Sequence, residues 1–475
     1  MKAKMSSFLN NSKPILKILV QTLKRDFKYV SILGTDTFGT SYRVNKNGID
    51  INDSGWNERG FVVRVHNGIN YSEFSFNELA EESLNALILK IKTTLTSQKD
   101  ILKNNLVINE YALLHEDPIK RSFLGEVKIH PSEINAEEKL NKMHQMLQKA
   151  LKSSDELVDF RISYNEVEVC KLYISGEKEL EQAYIFSEGN LVPIVRRGNK
   201  TKINFKGHSG LKAVELLDEM EASIETVIKD AIELLDADPI IPGEYEVICS
   251  PEVTGLIVHE AFGHGVEMDM FVKNRAKAVE YLGKPVASSL ITMHDGGSAA
   301  KNVSSYLFDD EGTLATDTVI IKDGILETGM SDLLSAMKLG TVPTGNGKRQ
   351  SFERKAYTRM TNTFFTLGAS TLEEIISTVT QGYLLEGMES GMEDPKNWGI
   401  QCMLTKGREI KDGHFTGKIV SPVILTGYVP DLLSSISMVS KDFELFGCGA
   451  CGKGYKEYVK VSDGGPYIKA KARLG

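Results

Sequence analysis

The chain has 475 residues, enough for roughly two to four units of ordinary size. Hydrophobic residues at 41% and charged residues at 25% match ordinary globular usage, which excludes a disordered or fibrous chain. With a net charge of -8 and no dense Lys/Arg run, the surface would repel a phosphate backbone, so nucleic acid is not expected as a direct ligand.

The apolar run from Pro14 to Val20 is broken by Lys17 and followed by Lys24 and Arg25, which suits an amphipathic helix near Pro14 to Phe27 and not a secretory signal. Gly60 to Val65 reads as a strand. Leu79, Leu84, Leu87, Ile88, Ile91 and Leu95 then recur at helical spacing and make a core-facing stripe. A second helix carries Leu140, Met143, Leu147 and Leu151 on one face, and strands follow at Val158 to Tyr164, Val167 to Ser175 and Leu191 to Arg196. A long helix from Leu211 to Leu235 stops at Asp238-Pro239, with Pro242-Gly243 just beyond. The remainder is glycine-rich, with Asp323-Gly324 and Asp412-Gly413 each set between strand-like runs as hairpin turns. The expected class is α+β, an N-terminal α/β region in two parts (1–115 and 116–240) followed by a β-rich domain (241–475). No stretch approaches the roughly 18 uninterrupted apolar residues of a membrane span. The five cysteines are odd in number and sparse, so a reducing cytoplasm is expected and a disulfide framework is not.

The chemistry concentrates after the strand Gly243 to Cys249. Ser250-Pro251-Glu252 supplies a capping residue, a proline at the first helical position and an acid in the first turn, so a helix starts there. Two to three turns later it carries His259-Glu260-Ala261-Phe262-Gly263-His264-Gly265. Zinc-protease helices set two histidines four apart on one face; here they are five apart, which on an ideal helix turns the rings roughly 140° from each other. The helix must bulge into a π-type turn or end, and Gly263 gives the backbone freedom for either. Both imidazoles then reach one zinc ion, with Glu260 beside the water it activates. The alternative is that these are ordinary polar residues near a helix end, but a core helix has no use for glycines on both sides of His264. Glu267 and Asp269 are candidates for orienting the imidazoles, and solvated acids are the equal alternative. His294, beside Asp295-Gly296-Gly297, reads as a turn residue.

The loop Gly447-Cys448-Gly449-Ala450-Cys451-Gly452-Lys453-Gly454 has several readings. As a phosphate loop it lacks the Ser/Thr that follows the lysine, and no helix pattern follows. As a redox pair, its glycines oppose the helix start that would activate a thiol. As a zinc site, both cysteines with both histidines would close the shell and leave Glu260 without a role, whereas one cysteine leaves a position open.

The run Thr254 to Asp269 resembles the signature of the TldD/PmbA family, metalloproteases once called modulators of DNA gyrase. Asp309-Asp310-Glu311-Gly312-Thr313, Thr344-Gly345-Asn346-Gly347, Arg359-Met360-Thr361-Asn362-Thr363 and Cys451-Gly452-Lys453 resemble later family blocks in order, and Gly60 to Val65 also fits. The resemblance implies a catalytic, TldD-type subunit with His259, His264 and Cys451 as zinc ligands, Glu260 as general base and Cys448 standing aside. It implies hydrolysis of unfolded or partly processed peptides in an enclosed cavity, and a dimer, either with a PmbA/TldE-type paralogue or with a second copy. The chain departs from the family after Lys453, where Gly454-Tyr455-Lys456 replaces the usual Gly-Gln pair. The rival reading is a non-catalytic peptide-binding subunit with a structural zinc. Direct action on DNA topology needs a basic patch that the sequence lacks.

Overall fold

The computed structural model describes residues 1–103, 110–454 and 457–475. Its strands form two large sheets. The first runs in the order Tyr71–Phe76, Glu58–His66, Tyr29–Asn45, Leu157–Ser175, Lys178–Arg197, Ile119–Leu124, with three short strands alongside. Alternation along Leu157–Ser175 decides what covers each face. Phe160, Ile162 and Tyr164 pack with helices Ala136–Leu151, Leu216–Ala222 and Ile224–Glu233, and Cys170, Leu172 and Ile174 with helices Ser7–Leu23 and Leu84–Lys103. Val167 and Val169 face the other way, onto Val303, and Tyr173 onto Phe308, so the second face seats the C-terminal region.

The mixed α+β class is as expected, and several boundaries differ. The expected division at 115/116 falls inside one sheet, because Tyr29–Asn45 pairs with Leu157–Ser175 from Ser31 opposite Ser175 to Val44 opposite Ile162. The first helix begins at Ser7, where the Ser6 hydroxyl caps it, and Pro14 lies inside it, not at its start. The two strands expected at 158–164 and 167–175 are one, because Glu166 at the apparent gap is buried and neutralised by Lys139 and bonded by the Tyr164 hydroxyl at 3.0 Å. The helix expected over 211–235 is broken at Ser223, whose hydroxyl turns back to the Glu219 carbonyl at 3.1 Å.

The second sheet begins at Gly243. Strands Gly243–Cys249, Gln381–Asp394, Gly399–Lys411, Val423–Tyr428 and Ser462–Leu474 pair in that order, and Gly243–Cys249 also pairs with Ser462–Leu474, so the five close into a barrel. The sheet continues outward from Ser462–Leu474 through Asn362–Phe365 and Met293–Asp295. Both Asp-Gly pairs make their hairpins: Asp323 and Gly324 have φ of 48° and 82°, Asp412 and Gly413 49° and 77°, the doubly left-handed turn that matches strand twist. Val253, Leu256, Ile257, Val258, Ala261 and Phe262 pack into one core with barrel residues Val247, Leu385, Leu404 and Ile468, which anchors the motif segment to the barrel. No helix among the described residues is long and apolar enough to cross a membrane.

Candidate metal centre

The Ser250 hydroxyl accepts the Val253 N–H at 3.4 Å and Pro251 occupies the first turn, so a short helix, Pro251–Leu256, starts where the sequence places it. It then widens into a π-helix, Ile257–Gly263, in which the His264 N–H donates to the His259 carbonyl, a step of five residues. That step carries the second histidine back toward the first. The imidazole centroids lie 5.1 Å apart with their planes at 90°. Gly263 matters for space and not for backbone freedom: its φ is an ordinary -57°, and a Cβ there would come within 2.2 Å of the Met360 sulfur.

Cys451 arrives from a hairpin, Ala450–Lys453 paired with Glu457–Lys460, in which it lies opposite Val459. The buried Arg359 holds this hairpin, donating from Nη2 to the Cys451 carbonyl and from Nη1 to the Glu457 carbonyl at 2.9 Å. The result is a cluster of His259, His264 and Cys451 whose ligand atoms all lie within 4.8 Å of one another. Cys451 Sγ is 3.5 Å from His264 Nε2. Burial alone would push the Cys451 thiol up; the two imidazoles outweigh it and hold the thiol well below its ordinary range. Reciprocally, burial would lower His259, and the sulfur beside it raises it.

Glu260 presents one carboxylate oxygen 3.9 Å from His259 Nε2 and the other 3.9 Å from His264 Nε2. Gly391 makes room for it, since a Cβ there would lie 2.7 Å from Glu260 Cγ. The far side of His264 is braced: its Nδ1 lies 3.3 Å from Glu267, and Lys453 donates to Glu267 at 2.9 Å and to Asp269 at 2.7 Å. Burial would raise Glu267, but Lys453 and His264 hold its carboxyl well below the ordinary range.

Cys448 points elsewhere, donating to the His208 carbonyl at 3.1 Å, and burial pushes its thiol up to about 11. His294 is on the strand Met293–Asp295 and not in a turn, 2.6 Å from Asp317 and stacked on Phe364. The blocks at 309–313, 344–347 and 359–363 contribute no ligand atom to the cluster. Asp309 accepts the Glu311, Thr313 and Gly347 N–H groups, Asp310 pairs with Lys171, and Glu311 pairs with Arg64 at 2.6 Å, so the block from 309 to 313 ties the C-terminal region to the first sheet. Tyr455 and Lys456, where the sequence departs from the family pattern, lie outside the described residues. Two residues near the site carried no sequence signal. Asp463 stands 3.7 Å from His259 Nδ1. Glu393, on the strand that carries Gly391, reaches Gly265, where a Cβ would come within 2.6 Å of Oε1, and burial raises its carboxyl well above the ordinary range.

A tetrahedral zinc bound by two nitrogens at about 2.0 Å and one sulfur at about 2.3 Å spaces its ligand atoms roughly 3.3–3.6 Å apart. The His264–Cys451 separation already has this value and all three ligand atoms lie within 4.8 Å of one another, so the donor set fits zinc. Comparison with known proteins decides the family. Residues 242–473 match the PmbA/TldA metallopeptidase C-terminal domain. The region from 242 to 473 belongs to the TldD/PmbA family. A metalloprotease of Methanocaldococcus jannaschii is 27% identical over 87% of this chain and 90% of its own length. A zinc metalloprotease TldD homologue of Saccharolobus solfataricus is 27% identical over 71% of this chain and 75% of its own. The crystal structure of TldE from Thermococcus kodakarensis, 18% identical, superposes with a TM-score of 0.75 over 97% of this chain and 99% of that one, which establishes the common fold.

Proposed function

We propose that this chain is the zinc-binding, catalytic subunit of a metallopeptidase that hydrolyses unfolded or partly processed peptides, with His259, His264 and Cys451 holding the metal and Glu260 as general base. The observation that carries the reading is the convergence of two imidazoles and one thiol on one point with a carboxylate against both rings. A zinc ion held by His259, His264 and Cys451 would supply Lewis acidity toward a peptide carbonyl and lower the pKa of water near it. Glu260 takes a proton from the attacking water and delivers it to the departing amine. The imidazoles beside it push the Cys451 thiol pKa down, which favours the ligating form of the sulfur, and Glu267, fixed by Lys453, keeps the His264 ring turned toward the site.

The rival, a non-catalytic subunit with a structural zinc, needs a fourth protein ligand. Cys448, bonded to the His208 carbonyl, favours the open position of a catalytic site. Five free thiols suit a reducing cytoplasm. The working form in this reading is a dimer with a PmbA/TldE-type paralogue or with a second copy. The test is zinc content and cleavage of a reduced, unfolded polypeptide by the chain alone and with a TldE-type partner. Turnover lost to a chelator and restored by zinc is expected; a zinc-loaded protein inert toward every unfolded substrate in both forms would favour the structural rival.

A further inference from the structure

The two imidazoles of the cluster are not held alike. His264 Nδ1 faces Glu267 at 3.3 Å, and Glu267 is tethered by Lys453. His259 Nδ1 is buried and forms no hydrogen bond, an unfavourable condition for a polar atom. The carboxylate that faces it is Asp463, whose Oδ2 lies 3.7 Å away.

We infer that Asp463 is a positioning residue for His259, accepting the Nδ1–H so that Nε2 is turned to the metal, as Glu267 does for His264; the inference rests on the peptidase reading above. Three features support it. Asp463 belongs to the barrel strand Ser462–Leu474 and is paired on both sides, with Thr363 on one and Phe446 on the other, so its backbone is fixed. The space its side chain occupies is kept open by Gly255, one helical turn before His259: a Cβ there would lie 2.8 Å from Asp463 Oδ1 and 2.7 Å from the Gly464 nitrogen. The opposite nitrogen, His259 Nε2, already faces Glu260, so the ring needs no flip.

A histidine ligand that gives its second N–H to a carboxylate is locked in one tautomer and made more basic, and removing such a partner weakens metal binding roughly 10- to 100-fold. The glycine at 255 and the aspartate at 463 are therefore one device, a notch in the helix and the acid that fills it.

The test uses the full-length chain with zinc affinity measured by competition against a chromophoric chelator and with the visible spectrum of the cobalt-substituted protein. Asp463→Ala is expected to bind zinc roughly 10- to 100-fold more weakly and to shift the cobalt bands. Asp463→Asn, which keeps an acceptor oxygen for Nδ1–H, should recover most of the affinity and the unaltered spectrum. Unfolding temperatures of the metal-free proteins check that each variant folds, and Asp463→Ser serves as the truncation if alanine does not. Unchanged affinity and spectrum in the truncation, or equal loss in asparagine and truncation, overturns the inference while leaving the peptidase reading intact. An unaltered chain that binds no zinc overturns both.

Discussion

Two buried polar clusters lie within the C-terminal region, and both are announced by polar, glycine-punctuated blocks in the sequence. Around Asp295 every acceptor is used: Asn346 Nδ2 at 2.6 Å and the Thr361 hydroxyl at 2.9 Å on one oxygen, the Thr361 N–H at 2.9 Å and the Thr363 hydroxyl at 2.6 Å on the other. Four donors fill the capacity of a carboxylate. Around His259 the reverse holds, with the buried Nδ1 unpartnered and a thiol whose pKa the two neighbouring imidazoles push well down. The saturated cluster ties the strands Met293–Asp295 and Asn362–Phe365 to the loop at Asn346 and has no capacity left for a ligand. The unsaturated one keeps capacity for a ligand, and that difference, invisible in composition, separates scaffold from site.

The contrast can be broken at four points. The largest effect is expected from Glu260→Gln, which keeps shape and zinc but loses the base; peptide turnover should fall roughly a hundred- to ten-thousand-fold with zinc content unchanged. Wild-type turnover in that variant would remove Glu260 from the reaction. Next comes the cysteine pair. Cys451→Ala should release zinc on dialysis and lose activity, whereas Cys448→Ala should keep both, and equal zinc loss in the two would indicate a closed site.

Asp295→Ala should act on stability and not on chemistry. It removes one of the two partners of the Asn346 amide and strands the hydroxyls of Thr361 and Thr363 and a backbone N–H, and denaturant unfolding should show a loss of roughly 3 kcal/mol with zinc stoichiometry preserved in the folded fraction. The smallest effect is expected where the first sheet meets the C-terminal region. Burial would raise Glu73, but Arg349 at 2.9 Å and Arg64 at 2.7 Å outweigh it and hold its carboxyl well below the ordinary range. A folded-state pKa depressed in this way adds stability above the unfolded value of about 4.3, and that contribution is lost as pH falls through the folded value. Glu73→Gln should cost on the order of 1–2 kcal/mol at neutral pH and flatten the acid limb of the stability curve; an unchanged limb would show that the pair adds nothing.

The parts legible in the sequence were those set by local chemistry. A spacing of five between His259 and His264 demanded a helix with a five-residue step, and the π-helix is that step. The Asp-Gly turns follow from the left-handed φ that each requires. The cap at Ser250 and the proline after it are equally local. What escaped depends on closure of the barrel. Asp463 and Glu393 reach the motif segment only because Ser462–Leu474 and Gln381–Asp394 both pair with Gly243–Cys249. Nothing beside either residue in the chain marks it as different from a solvated acid. Tertiary pairing also explains the misread elements: Glu166 looks like a strand break until Lys139 neutralises it, and the 115/116 division looks natural until Tyr29–Asn45 finds a partner more than a hundred residues away.

One coordination sphere decides the function of this chain. X-ray absorption at the zinc edge of the metal-loaded chain should show one sulfur at about 2.3 Å, two imidazole nitrogens at about 2.0 Å and one further light atom exchangeable with solvent. Two sulfurs and two nitrogens, or a spectrum unchanged by Cys451→Ala, would contradict it.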